Sequence, residues 1–256
     1  MKLFINNRKL EKISVLVEWE SYNWWLVFVM HWNSWNKDEK HIRKIIKSFL
    51  NNNICVVSFD TTNTFWESDW NYENATVTNY YEDLEDVIKW AENQSFYQEP
   101  FFLVGHSLWS MCISLYAEKF SNKVKGLAPI STVISWKLSI ELWNRDMEEW
   151  KKNWYIIEKS EKSPTWFKKL KYSHIIDRLK YDLLENVDKL NMPVLMIVWD
   201  KDSSTPVIHQ QILYDKLPWK KELHIIKWAP HVFKEEVHLE EIYNIINLWI
   251  KNTLNN

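Results

Sequence analysis

Short apolar runs alternate along this chain with longer segments of helical period. Ile13–Val17, Leu26–Met30, Ile54–Phe59, Phe101–Val104, Val124–Ala128, Val194–Val198 and Glu222–Ile226 read as strands, each bounded by polar turn residues. Glu39–Leu50, Tyr80–Glu92, Leu108–Phe120, Val207–Lys216 and Leu239–Lys251 read as helices. Tyr80–Glu92 opens on acidic residues, which the helix dipole favours in a first turn. Strands and helices in alternation predict a mostly parallel sheet with crossover helices. Between about Ser131 and Leu190 the strand rhythm stops. That stretch, rich in charge and aromatics and long for a connection, reads as a helical cap over about 131–190, laid on the carboxyl edge of the sheet.

Composition changes the picture at one point. The chain of 256 residues holds 18 tryptophans and 2 glycines, whereas ordinary usage of about 7% glycine would give roughly 18 glycines. The tryptophans also fall where tight turns take the smallest residue. Glycine is predicted at Trp32, Trp35, Trp66, Trp109, Trp199 and Trp228, and further at Trp70, Trp136, Trp154, Trp166 and Trp219. Trp90, Trp150 and Trp249 sit at amphipathic helix positions and read as true tryptophans, while Trp19, Trp24, Trp25 and Trp143 fit either reading. A UGA codon, which some genetic codes assign to tryptophan and others to glycine, accounts for the exchange. Taken literally, indoles at the first six positions cost very roughly 12–36 kcal/mol in strain and overpacking, against a usual net stability of about 5–15 kcal/mol. A literal Trp109 is therefore expected to distort its turn.

Charge and cysteine content narrow the partners. A net charge of −2 provides no electrostatic footprint for nucleic acid or an anionic membrane. Lys151-Lys152 and the lysines of Lys168–Lys171 read as a solvated face. No apolar stretch approaches the roughly 18 residues of a membrane span, so no integral membrane segment is expected. The start, MKLFINNRKLEK, lacks the apolar core of a secretory signal. Cys55 and Cys112 read as reduced thiols, which points to a cytoplasmic protein. With dispersed histidines and neither HExxH nor CxxC, no metal or other cofactor is expected.

The chemistry concentrates where apolar runs end. Phe101–Val104 leads into Gly105-His106-Ser107-Leu108-Trp109, and a helix follows at once. This is G-x-S-x-G with its last glycine written as tryptophan, the context of a nucleophile elbow. Strand and helix backbones pass closely there, so the residues two before and two after the serine need to be nearly bare. The alternative is an ordinary serine N-cap. A serine nucleophile on such a sheet requires a downstream acid and then a histidine. Val194–Val198 ends in Trp199-Asp200-Lys201-Asp202. Asp202, in the loop beyond the strand, is the acid, and Asp200 is expected to bind turn amides. His231 follows the strand Glu222–Ile226 and is the general base. Its competitors are His238, expected to be exposed at the start of the last helix, and His224, inside a strand and structural. The strand Leu26–Met30 ends in His31-Trp32-Asn33-Ser34-Trp35, an HG-type loop if recoded. Its Asn33 amide and that of Leu108 are the expected oxyanion donors.

With Ser107, Asp202, His231 and the HG-type loop in place, the chain resembles the α/β-hydrolase superfamily. It is similar to the serine hydrolases that include cinnamoyl/feruloyl esterase-like, monoacylglycerol lipase-like and serine aminopeptidase-like members. Val56–Asp60 with Thr64–Trp70 is similar to that family's "FD…GHGESDG" stretch, and Asn79–Trp90 to the helix after it. The resemblance implies one domain over residues 1–256, with a doubly wound, mostly parallel, eight-stranded sheet and a helical cap insertion. It implies a Ser-His-Asp triad that cleaves a small-molecule carboxylic ester through an acyl-enzyme, without cofactor or metal. An aminopeptidase or thioesterase on the same scaffold stays open, as does an inactive binding module if the tryptophans are genuine. Within the cap, Tyr172, His174, Asp177 and Arg178 are polar candidates for the pocket wall.

Overall fold

The structure is a computed structural model that describes residues 1–20, 25–31, 37–142, 146–161, 163–218, 220–231 and 235–255. Ten strands and eight α-helices are found among them. In chain order they are β1 (Lys2–Asn6), β2 (Lys12–Glu18), β3 (Leu26–Met30), α1 (Lys40–Leu50), β4 (Cys55–Asp60), α2 (Val77–Ala91), β5 (Phe101–His106), α3 (Leu108–Lys119) and β6 (Val124–Ile130). There follow α4 (Trp136–Glu141), α5 (Met147–Asn153), β7 (Tyr155–Lys159), β8 (Phe167–Lys171), α6 (Ser173–Arg178), β9 (Val194–Lys201), α7 (Val207–Lys216), β10 (Lys221–Pro230) and α8 (Glu236–Leu254).

Eight strands form one sheet in the order β1-β2-β4-β3-β5-β6-β9-β10. β2 runs antiparallel to both its neighbours, and β4, β3, β5, β6, β9 and β10 are parallel to one another. β3, β4 and β5 are buried at every position, as interior strands covered on both faces must be. Alternate residues feed two cores. Phe28, Leu103 and Met196 join α2 and α3 on one face, and Val27, Val104 and Ile197 join α1 and α8 on the other. This is the doubly wound eight-stranded sheet that the sequence reading expects. Its edge strand β1 was signalled by no apolar run. α2 starts three residues earlier than predicted because the Thr76 hydroxyl caps it, accepting from the Asn79 N–H at 3.1 Å. No helix of the described residues is long and apolar enough to cross a membrane.

The stretch between β6 and β9 departs from expectation. It is not wholly helical: β7 and β8 pair as an antiparallel hairpin, Tyr155 opposite Lys171 and Lys159 opposite Phe167. Burial along β7 alternates between exposed and half-buried, a period of two that the charged residues conceal in sequence. The insertion is tied down through α6, where Asp177 accepts from the Thr78 N–H at 2.9 Å and its hydroxyl at 2.6 Å. His174 Nδ1 lies 2.8 Å from the Ala75 carbonyl oxygen, and the Arg178 guanidinium stacks 3.8 Å from the Trp136 ring. The side chains expected to line a pocket thus join α6 to α2 and α4. Tyr172 packs beside Trp150 and Trp154.

The tryptophans separate by environment. Trp150 and Trp249, read as genuine, are buried. A Cβ at Gly126 would come within 2.9 Å of the Trp249 ring, so that indole and that glycine are fitted to each other. Trp109, Trp136 and Trp199 are also buried. Trp19, Trp66, Trp70, Trp154, Trp166 and Trp228 are exposed, and Trp154, Trp166 and Trp228 have φ of 64°, 63° and 61°. Trp24, Trp32, Trp35, Trp143 and Trp219 lie outside the described residues.

One buried acid sets a pH dependence. Glu118 on α3 is 7% exposed, its Oε1 has no hydrogen-bond partner among the described residues, and burial pushes its carboxyl up to about 8. The native state thus prefers the protonated acid. Its contribution to stability is full below the unfolded pKa of about 4.3 and falls as pH rises towards 8. Glu118→Gln is expected to leave urea stability unchanged at pH 4 and to raise it by about 1–2 kcal/mol at pH 8. Equal gains at both pH values would reject this account.

Candidate active site

β5 and α3 are joined by a single residue, Ser107, at φ 59° and ψ −122°. A side chain is rarely held there. The surroundings enforce it: the Ser107 N–H donates to the Ile130 carbonyl at 2.9 Å, and the Ser107 carbonyl accepts from Val133 at 3.3 Å. The Ile130 N–H also donates to Ser110 Oγ at 3.1 Å, which fastens the first turn of α3 to β6. A Cβ at Gly105 would meet the Trp109 carbonyl oxygen at 2.9 Å, so the two backbones pass as closely as the motif requires. Ser107 stands at the N-cap position of α3, yet its hydroxyl makes no capping bond. The ordinary-cap alternative therefore does not describe it. Leu108 opens α3, and its amide is among the first N–H groups, which lack an intrahelical acceptor.

The distortion expected of a literal Trp109 is absent. Its indole lies against Tyr80 (ring centroids 4.6 Å apart) and His31 (5.2 Å), and Nε1–H donates to Thr61 Oγ1 at 3.2 Å. The side chain leaves the turn towards α2 and the end of β3. Trp199, another predicted glycine, is an ordinary strand residue of β9 with its ring stacked on His106.

Asp202 and His231 meet at the same edge of the sheet. Asp202 follows β9 directly, and His231 follows β10. His231 Nδ1 lies 2.6 Å from Asp202 Oδ2. The aspartate is held in turn: Oδ1 accepts from the Ser204 and Thr205 N–H groups at 2.9 and 2.8 Å, and Oδ2 accepts from Thr205 Oγ1 at 2.9 Å. Burial alone would raise the Asp202 pKa, but His231 and Thr205 outweigh it and hold the carboxyl below its ordinary value. The buried carboxylate stays ionised, able to fix the imidazole tautomer. Asp200 has the expected lesser task, accepting from the Trp228 N–H at 2.7 Å and so tying β9 to the irregular end of β10. His224 lies in β10, 3.1 Å from Glu222. His238 is buried rather than exposed, because it shares the inward face of α8 with Leu239 while Glu236 and Val237 point outward.

On the opposite side of β5, His31 follows β3 and its Nε2 accepts from the Thr61 N–H at 3.2 Å. Lys37, 1% exposed, binds Asp60 at the end of β4 through its N–H (2.9 Å) and its ammonium (2.6 Å). Asn33, the other expected oxyanion donor, lies outside the described residues. Two residues near the site were not anticipated. Thr205 had a signal in sequence, since an Asp-Ser-Ser-Thr turn before Pro206 predicts hydroxyl and amide donors to the acid. His106, whose ring lies 5.4 Å from that of His231, had none, because the position before the serine in G-x-S-x-G has no fixed demand.

Comparisons with known proteins agree with this architecture. The sequence profile described as "alpha/beta hydrolase fold" matches residues 31–168, more than half of the chain. Comparison with curated protein sequences finds no match. Among solved structures, the chain is similar to Est1E from Butyrivibrio proteoclasticus with ferulic acid bound, at 17% identity and TM-score 0.85, covering 99% of this chain and 100% of that one. It is similar to a putative hydrolase from Agrobacterium vitis S4, at 17% identity and TM-score 0.83 over 98% of both chains. It is also similar to alpha/beta hydrolase domain-containing protein 10 from mouse, at 18% identity and TM-score 0.78, covering 98% of this chain and 99% of that one. A single-residue strand-to-helix turn bearing the serine, on an eight-stranded sheet of this order, and a profile match across that turn lead to one assignment: the chain belongs to the alpha/beta hydrolase fold family.

Proposed function

We propose that the chain is a serine hydrolase that cleaves small carboxylic esters through an acyl-enzyme. The observation that carries this reading is the 2.6 Å pair of His231 and Asp202 at the sheet edge where β5 also leads into a serine, held at φ 59°, that caps nothing. Ser107 Oγ attacks the ester carbonyl while His231 Nε2 takes its proton, and Asp202 stabilises the imidazolium that results. The amides of Leu108 and Asn33 hold the oxyanion. Collapse of the tetrahedral intermediate expels the alcohol, which leaves with the proton from His231. Water, deprotonated by His231, then attacks the acyl-serine and releases the acid. The chemistry calls on no metal or cofactor.

Ferulic acid bound to the similar Est1E makes aromatic acyl esters the first to test. The purified chain is offered methyl ferulate, p-nitrophenyl acetate and butyrate, an aminoacyl anilide and an acyl thioester. Ester turnover well above that of the anilide and thioester is expected. Turnover of the anilide alone replaces the reading with an aminopeptidase, and of the thioester alone with a thioesterase. Failure of a fluorophosphonate probe to label Ser107 leaves a binding module.

A further inference from the structure

We propose that His106 is a positioning residue for the general base: its buried ring is the face against which the His231 imidazole is set, coupling the base to the residue beside the nucleophile. The role of His231 rests on the proposed function; the packing argument does not.

A single hydrogen bond fixes one atom of a ring but not its plane. The bond from His231 to Asp202 anchors Nδ1, and the plane of the imidazole, which directs Nε2, depends also on what its ring face meets. A second contact has to set the plane. The His106 ring supplies one, 5.4 Å from His231 between centroids and tilted by 37°. His106 is itself immobilised. It is 1% exposed at the end of β5, stacks on Trp199 at 5.6 Å and 20°, and meets His41 edge-on at 5.7 Å. Because Ser107 is the next residue, the backbone that sets the nucleophile also sets the root of this ring. The base and the serine are thereby held in one frame, as preorganisation requires.

The residue type fits. A flat ring of this size fills the space between Trp199 and His231, and burial beside His231 and His41 holds His106 far below the ordinary histidine range. It stays neutral when His231 takes up a proton, so two adjacent imidazolium ions do not arise. His41 is pushed down to about 3 by burial and by His31, and is neutral as well.

The test uses His106→Ala and His106→Phe in the full chain. In His106→Ala, kcat for p-nitrophenyl butyrate is expected to fall about 10- to 100-fold with KM within about twofold. His106→Phe, which keeps a ring face and no nitrogen, is expected to recover most of that loss. The second readout needs no turnover. The Nδ1 proton shared by His231 and Asp202 is followed by proton NMR as a low-field resonance, assigned by its absence in Asp202→Asn. It is expected to persist in His106→Phe and to broaden or vanish in folded His106→Ala. A sharp, unshifted resonance in His106→Ala overturns the proposal, as does a Phe variant no better than Ala by that signal. If the wild type hydrolyses none of the esters but shows the expected NMR pattern, the proposed function fails and the positioning role stands.

Discussion

Ser107→Ala is expected to reduce ester hydrolysis by about 10⁴- to 10⁶-fold and to leave the urea midpoint unchanged. Alanine keeps the Cβ, so the backbone at φ 59°, ψ −122° remains as costly as before while the reacting oxygen is gone. Ser107→Gly is expected to be equally inactive and more stable by about 1–2 kcal/mol, because glycine occupies that conformation without a steric cost. A side chain held where only glycine is at ease, by bonds to Ile130 and Val133, is the mark of a position kept for chemistry at the expense of stability. Asp202→Asn retains the turn but presents the wrong tautomer to Ser107, with an expected loss of about 10⁴-fold. Steady-state kinetics with p-nitrophenyl butyrate and urea titrations of the three variants check these outcomes together. An active Ser107→Ala protein would assign the chemistry elsewhere.

What was legible in the sequence is what short-range physics dictates. β3 needed only its five consecutive apolar residues to be read as a strand, and α1 only its helical period. Ser107, Asp202 and His231 stood out because each follows an apolar run, and in a parallel sheet such runs end on one edge. The hairpin β7–β8 was hidden because Glu158, Lys168 and Lys171 take half-buried positions while Tyr155, Ile157 and Phe167 are exposed, so the alternation is not one of apolar with polar residues. The anchoring of Asp177 to Thr78, 99 residues away, could not be foreseen from local pattern. His238 was misjudged because its glutamate neighbours suggested solvent, whereas helix phase turns its ring inward. The contact of His106 with His231 joins the ends of β5 and β10, which only the sheet brings near.

Trp154, Trp166 and Trp228 are expected to be the three positions where glycine improves the protein. Each has the left-handed backbone, at φ 64°, 63° and 61°, and each stands at a different motif that calls for glycine. Trp154 ends α5, its N–H returning to the Lys151 carbonyl at 3.4 Å, where a left-handed C-terminal glycine is the common stop. Trp166 closes the β7–β8 loop, with its N–H on the Ser163 carbonyl at 3.0 Å and its carbonyl accepting from Ser160 at 2.9 Å, the left-handed place in a hairpin connection. Trp228 lies where the pairing of β10 with β9 shifts register between Ile226 and Pro230, a bulge of the kind that takes glycine. Left-handed backbone costs a side chain roughly 1–2 kcal/mol, and glycine returns about 0.5–1 kcal/mol through the entropy of the unfolded chain. Little packing is lost: the three indoles are 50%, 68% and 78% exposed. The triple variant Trp154→Gly, Trp166→Gly, Trp228→Gly is therefore expected to gain about 1–3 kcal/mol in urea unfolding. Trp150→Gly or Trp249→Gly, by contrast, should lose about 3–5 kcal/mol as buried indoles. A triple variant no more stable than its parent would defeat the argument. If UGA encodes these positions and is read as glycine, peptides of the protein from its own cells will carry glycine at 154, 166 and 228 and tryptophan at 150 and 249.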